Sequence, residues 1–389
     1  MQWSLPGRAV ARRCGDFPAT VALLTLSLGV SIASAQSRAA TNAPSSAANG
    51  ETRPFSITKL DPSLDALIAP NAKLQTVASG FGFSDGPVWI RGRGGSPGYL
   101  LAVSIIGNVI YKVTAAGEVS VFLDKAGYSG DDFANTGKLA YIARIHMILI
   151  GPNCTGVDPQ GRLIWCAGQD LSLMRLEKDG TRTVLAKGFE GKHFNGPNDV
   201  AIAADGSIYF TDSDVGLRGG IHGPLPQMPD SVWRWKDGKV TMVVSREQLG
   251  DEPNGIALSP DDKYLYLSAG TGSADPKMMR YPVHADGTVG PGELFTHGHG
   301  IGDGMKADRS GNIYSTDGVQ GVVRITSPRG RPLGLLNLPT RGDAEPRKLI
   351  CASAMAFGGD DAKTLYITAC DDIYALPLKS PGILEGPAQ

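Results

Sequence analysis

The chain has 389 residues, with 37 Lys+Arg against 38 Asp+Glu and a formal charge of -1, so it carries neither the basic footprint of a nucleic-acid binder nor an acidic tail. Hydrophobic residues at 42% and charged residues at 19% exclude a wholly disordered chain. The 51 Gly and 26 Pro are about a fifth of it, which without a collagen period means either disorder or many short strands joined by tight turns.

Residues 1–35 read as a secretory signal. Arg8, Arg12 and Arg13 form a basic start, Ala19 to Ile32 is an apolar run, and Ala33-Ser34-Ala35 precedes Gln36 as a cleavage site of small residues. The alternative, an uncleaved membrane anchor, requires a longer run of ~20 apolar residues. No apolar residues directly follow Arg12-Arg13, which favours ordinary over twin-arginine export. Cleavage leaves 34 basic against 37 acidic residues, and an exported protein that is periplasmic or secreted, with no stable membrane span. Residues 36–54 are small and polar and read as a flexible leader; the folded domain is expected over 55–389.

From there a small unit recurs: a polar residue, a short apolar run, a tight turn, then a strand rich in Ile, Tyr and Leu. Asp85 opens DGPVWIRGRGGSPGYLLAVS, Asn153 opens NCTGVDPQGRLIWCAG, and Asn198 opens NDVAIAADGSIYFTDS. Asn254 opens NGIALSPDDKYLYLSAG, Asp303 opens DGMKADRSGNIYSTDG, and Ser353 opens SAMAFGGDDAKTLYITAC. Each copy is a β-hairpin by its alternation about a turn. The openings lie 68, 45, 56, 49 and 50 residues apart, with further strands between them. That period predicts an all-β fold, a six-bladed β-propeller with four-stranded blades around a central channel. The long first step holds an insertion near 131–150, including YIARIHMILI, read as a second lid, a packed edge element or an oligomer contact. LQTVAS, before Asp85, is placed to complete the last blade and tie the chain ends together.

The innermost strand of each blade lines the channel, so the six opening residues are expected to form a ring at one mouth. Carboxylates and amide carbonyls are hard oxygen ligands suited to Ca²⁺ or another hard divalent cation, and no Cys/His cluster has zinc spacing. Alone, any one of these Asx residues is more often a turn former; the repeated phase argues for the ring.

FSDGPVW at 83–89, FNGPNDVAIAADGSIYFTD at 194–212, PNGIALSPDDKYLY at 253–266 and GDGMKADRSGNIY at 302–314 resemble the gluconolactonase/regucalcin (senescence marker protein) family. The resemblance runs through essentially the whole chain after residue 70. It implies a six-bladed propeller that holds one divalent cation in its channel and hydrolyses sugar lactones; some relatives hydrolyse organophosphates. It places the cation on Asp85, Asn254 and Asp303, with Asn198 as a further ligand or substrate contact. Ca²⁺ is the first expectation, with Zn²⁺, Mn²⁺ or Mg²⁺ as alternatives. Two positions depart from the family: Asp85 stands where Glu is usual, and Cys166-Ala167-Gly168-Gln169 replaces a C-x-H-G segment.

The implied chemistry is metal-assisted ester hydrolysis, with Asp303 as general base towards water. Asp199 is expected to face away from Asn198 by strand alternation and to serve structure. No G-x-S-x-G elbow suggests a serine triad. His299 and His297, in HGHGIGDG, and Arg218 and His222, in LRGGIHGPLPQMPD, are candidates to line the mouth, and His193 is a weaker one; exposed loop positions are the plainer reading of the histidines. The alternatives keep the site but act on phosphotriesters or aryl esters, or make the fold a non-catalytic propeller that binds a ligand or a protein. A small-molecule lactone is the expected partner, with no nucleic acid, and the assembly is a monomer or a small homo-oligomer. Cys351 and Cys370 flank the last hairpin symmetrically, and Cys154 and Cys166 nearly so, which predicts two bridges at the open ends of hairpins.

Overall fold

A computed structural model describes residues 51–131, 140–142, 145–147, 149–214, 217, 226–269, 276–297, 302–318, 320–341 and 351–387. The stretch read as a signal and most of that read as a leader lie outside these residues. Within them no helix is long and apolar enough to cross a membrane. Strands dominate, and the hairpins fall where the repeats put them. The opening residues sit at the start of the inner strands Pro152–Val157, Pro197–Ile202, Pro253–Leu258 and Gly302–Ala307, and just before Ala354–Gly358. Asp85 lies inside the long strand Gln75–Ile90.

Inner strands follow one another round the channel in chain order, and the last packs on the first. They are nevertheless carried on five blades rather than the six expected: three four-stranded sheets, one of five strands and one of six. The first and last repeats do not form separate sheets. Gln75–Ile90 pairs through its first half with the final strand, Thr364–Pro377 (Gln75 opposite Ala375, Ala78 opposite Ile373), and through its second half with Tyr99–Ser104. LQTVAS thus ties the two ends of the chain together, as its position in the sequence predicts. The five-stranded sheet gains its extra edge from Ser56–Lys59, which pairs with Pro332–Asn337. Glu51–Arg53, inside the stretch read as leader, pairs with Thr340–Arg341. In the insertion, Ala140–Ile142 pairs with Ile145–Met147.

The core lies between neighbouring sheets, where the inward faces of alternating strands meet. Aromatic pairs mark the joins: Trp89 stacks on Tyr366 at 5.3 Å between the first and last repeats, and Tyr314 meets Phe357 edge-on at 5.2 Å. Both predicted disulfides are present. Cys154–Cys166 and Cys351–Cys370 each bridge an inner strand, or the residues leading into it, to the strand beside it.

Hydrogen bonds stitch the inner strands to one another around the whole circle. Thr155 donates to the Gly86 carbonyl, and Asn153 Nδ2 donates to the Pro197 carbonyl at 3.2 Å. The Ile256 N–H donates to Asp199 at 3.1 Å, and the Ser268 hydroxyl to the Gly302 carbonyl at 2.9 Å. Thr316 Oγ1 lies 2.8 Å from the Ser353 carbonyl oxygen, and Ser353 Oγ donates to the Ser84 carbonyl at 2.6 Å, closing the ring. Buried in this way, each polar group offsets its own desolvation and fixes the spacing of the strands.

Candidate functional site

In five of the six hairpins the register slips by one residue at the start of the inner strand. The slips fall between Asp85 and Val88, Pro152 and Thr155, Pro197 and Val200, Pro253 and Ile256, and Gly302 and Met305. These are β-bulges, which bend a strand and re-aim its side chains, and each contains the opening polar residue of its repeat. The glycine that follows three of them is sterically required. A Cβ on Gly86 would collide with the Asn153 carbonyl and Cys154 Cα, and one on Gly255 with the Asp303 carbonyl. A Cβ on Gly304 would lie 2.7 Å from that of Ala354.

Asp85, Asn254 and Asp303 come together in the channel. Burial raises the Asp85 carboxyl well above the usual carboxylate range, and the charges of Asp303 and Asp199 raise it further. Asp303 is pushed up to about 8, first by burial and then by the Asp199 charge, against a hydrogen bond from the Asn254 side chain. Burial and like charge on two neighbouring carboxylates are both strains that a bound cation would relieve. The donor set, two carboxylates with the Asn254 amide on Asp303, is all hard oxygen and fits a hard divalent cation. Asn198 lies half-buried in its own bulge.

The other two ring positions do different work. Asn153 and Ser353 spend their side-chain donors on the Pro197 and Ser84 carbonyls, as strand ties. Asp199 serves structure, as expected, and lies within the bulge of its strand; its charge is also felt at both Asp85 and Asp303. It also accepts from the Val200 N–H at 2.8 Å and the Ile256 N–H at 3.1 Å, tying the Asn198 strand to the Asn254 strand. Lys306, three residues beyond Asp303, was not singled out by the sequence. Burial works against its charge, yet Glu385 and Asp199 outweigh this and raise its pKa.

Arg218, His222 and His299 lie outside the described residues. His297 ends the outermost strand of its sheet, Glu293–His297, and is exposed, away from the inner strands. His193 is half-buried, with Nδ1 2.6 Å from the Phe194 carbonyl oxygen. A second acidic group, Asp214, Asp230 and Glu252, brings carboxylate oxygens within 4.8 Å of one another among the described residues. Arg246 already pairs with Asp230, and Asn195 Nδ2 donates to it at 3.1 Å.

Comparison with known proteins agrees with this architecture. The gluconolactonase of Zymomonas mobilis subsp. mobilis is 28% identical over 389 residues, covering 97% of this chain and 99% of the relative. The structure of a gluconolactonase from Xanthomonas campestris superposes with a TM-score of 0.66 at 26% identity, over 87% of this chain and 98% of that one. A calcium-binding regucalcin from Agrobacterium tumefaciens shares the fold, with a TM-score of 0.58 at 17% identity over 87% of this chain and 98% of its own. Residues 83–371 match the SMP-30/Gluconolactonase/LRE-like region, and the chain belongs to that family.

Proposed function

We propose that the protein is a lactonase of the gluconolactonase type, dependent on one divalent cation held in the channel by Asp85, Asn254 and Asp303, with Asn198 as a fourth contact. The observation that carries this reading is the half-buried Asp85–Asp303 pair, each carboxylate raised by desolvation and by neighbouring negative charge, with the Asn254 amide on Asp303. Near-full-length similarity to a gluconolactonase supports lactone hydrolysis as the reaction. When bound, the cation supplies Lewis acidity towards the lactone carbonyl and the charge that developing oxyanions require.

The chain's own residues do the rest. Asp303 is the general base, its carboxylate held by the Asn254 side chain to accept a proton from attacking water. Asp85 is the second carboxylate of the site, at a bulge whose Gly86 lets the next strand approach closely. Asn198, half-buried at the same mouth, orients the substrate. Arg218 and His299 are proposed to contact the substrate. Export to an oxidising compartment is proposed with this function and is supported by the two disulfides.

The test is hydrolysis of a panel of five- and six-membered sugar lactones, before and after chelation. Activity that is lost on chelation and regained with Ca²⁺, Mn²⁺ or Zn²⁺ supports the reading. Hydrolysis indifferent to exhaustive chelation removes the metal from it, and a chain inert towards every lactone removes the reaction.

A further inference from the structure

The inner strands begin at the mouth that holds Asp85, Asn254 and Asp303 and run towards the opposite end of the channel. That far end is crossed by the segment Gly382–Pro387, which comes after the last strand of the propeller. The segment is fixed at several points. The Gly382 N–H donates to the Ala362 carbonyl at 2.9 Å, and Arg309 Nε to the Gly382 carbonyl at 3.1 Å. Arg91 donates to the Leu384 carbonyl at 2.7 Å and to the Pro387 carbonyl at 2.9 Å. Leu384 is buried in the core, and Gly386 has φ +89 and packs against the Val157 side chain.

Between these anchors Glu385 turns into the channel. One carboxylate oxygen accepts from the Val157 N–H, at the end of its inner strand, at 3.0 Å. The other lies 2.9 Å from Lys306 Nζ, and both side chains are largely buried. Lys306 and Asp199 act on each other through their charges, and Asp199 acts on Asp303, so the Glu385–Lys306 pair is electrostatically linked to the site. Buried charges are weakly screened, so a change at one end of such a linkage is felt at the other.

We propose that the segment Gly382–Pro387 is a plug that closes the channel beneath the site, and that Glu385 on it is a positioning residue which sets the site's affinity for its cation. Glu385 acts through Lys306. With Glu385 in place the ammonium is shared between two carboxylates and its field at the site is largely offset. Without it, an uncompensated positive charge faces Asp199 and opposes a divalent cation above. The affinity half of the proposal rests on the divalent-cation reading of the site; the plug half does not.

Two measurements on the full chain decide it. The first is amine acylation mapped by mass spectrometry, with exposed Lys178 and Lys239 as internal references. Lys306 should acylate at least about tenfold more slowly than these in the unaltered protein, and Glu385→Gln should remove most of that protection. Equal labelling of Lys306 and Lys178 in the unaltered protein overturns the plug. The second is calorimetric titration with Ca²⁺ in the absence of any lactone. Glu385→Gln should weaken binding about three- to tenfold, and the double variant Lys306→Met/Glu385→Gln should recover it to within about twofold. A merely structural tail gives no such recovery, and a double variant as weak as Glu385→Gln overturns the charge coupling. If no variant or parent binds Ca²⁺, Mn²⁺ or Zn²⁺, the metal reading and the affinity half fail together, while labelling alone still decides the plug.

Discussion

The side chain of Asn254 hydrogen-bonds to the carboxylate of Asp303, across two neighbouring inner strands that each open on a bulge. The amide lowers the Asp303 pKa against burial and the Asp199 charge, so it steadies the anion proposed as base. Asp303→Asn removes the proton acceptor and should cut kcat roughly 100-fold or more. Asn254→Ala, which leaves the carboxylate, should cost less in kcat and raise the requirement for metal. Steady-state kinetics across a metal titration reads both, and an Asp303→Asn variant with parental kcat rules out the proposed base.

Burial and like charge make the same cluster a pH sensor of stability. The Asp85 and Asp303 carboxyls are raised above the usual carboxylate range, Asp303 to about 8. For a carboxyl raised on folding, the folded state binds the proton more tightly than the unfolded one. Its contribution is therefore present below about pH 4 and is lost as the pH rises through the folded pKa. Chelated protein should lose melting temperature between about pH 4 and pH 8, with a shallower slope in Asp303→Asn. Saturating Ca²⁺ should restore the loss at the alkaline end, because a ligand of the native state alone stabilises it. Thermal melts over that range, with and without chelator, check the sign.

Much of this site could be read from the repeats because its chemistry is carried at one phase of a recurring unit. Asp85, Asn198, Asn254 and Asp303 all open hairpins, and the Gly after three of them marks where the next strand comes close. The cysteine pairs were legible for the same reason, since a hairpin's symmetry fixes which residues face each other. What escaped the sequence depends on a single inserted residue or a single distant contact. Beyond its part in tying two strands, Asp199 in the bulge between Pro197 and Val200 stands where its charge is felt at Asp85 and Asp303, which strand alternation does not foretell. Glu385 reaches Lys306 from 79 residues away, and no repeat announces it. The count of six blades missed for a related reason: Gln75–Ile90 runs on from the last repeat into the first, so two repeats share one hydrogen-bonded sheet.

Gly255 tests how tightly the inner strands are drawn together. Its backbone is not in the left-handed region, so alanine meets no conformational penalty there; the obstacle is the Asp303 carbonyl, which the new methyl would strike. Backbone cannot rotate aside as a side chain does. Gly255→Ala should destabilise the fold by about 1–3 kcal/mol and weaken cation binding as it displaces Asp303. Denaturant unfolding paired with a Ca²⁺ titration measures both, and a variant with parental values in each would show that the strands can part freely.

The Cys154–Cys166 bridge should matter to the site as well as to the fold. It closes a loop with a sequence separation of 12, and Cys154 directly follows Asn153, whose amide ties its strand to Pro197. Replacing both cysteines by serine should cost about 2–4 kcal/mol of stability. It should also weaken metal binding, because Asn198 sits on the strand that Asn153 holds. Unchanged cation affinity in a destabilised double variant would confine the bridge to stability.

Ser353 separates the residues that open a repeat from those that serve the cation. It stands at the same phase as Asp303, yet it has no exposed surface, and its hydroxyl donates to the Ser84 carbonyl at 2.6 Å. That donor is committed to closing the ring between the last repeat and the first. Ser353→Ala leaves a buried carbonyl short of a partner, which should lower stability by about 1–3 kcal/mol. Cation affinity per folded molecule should stay within about twofold of the parent, since a lost neutral hydrogen bond away from the carboxylates changes no charge at the site. Asp85→Asn should do the opposite, lowering affinity sharply and raising the stability of chelated protein by relieving the repulsion with Asp303. Calorimetry and thermal melts of the two variants side by side give the test, and a Ser353→Ala variant that loses cation binding as Asp85→Asn does would make Ser353 a member of the ligand set.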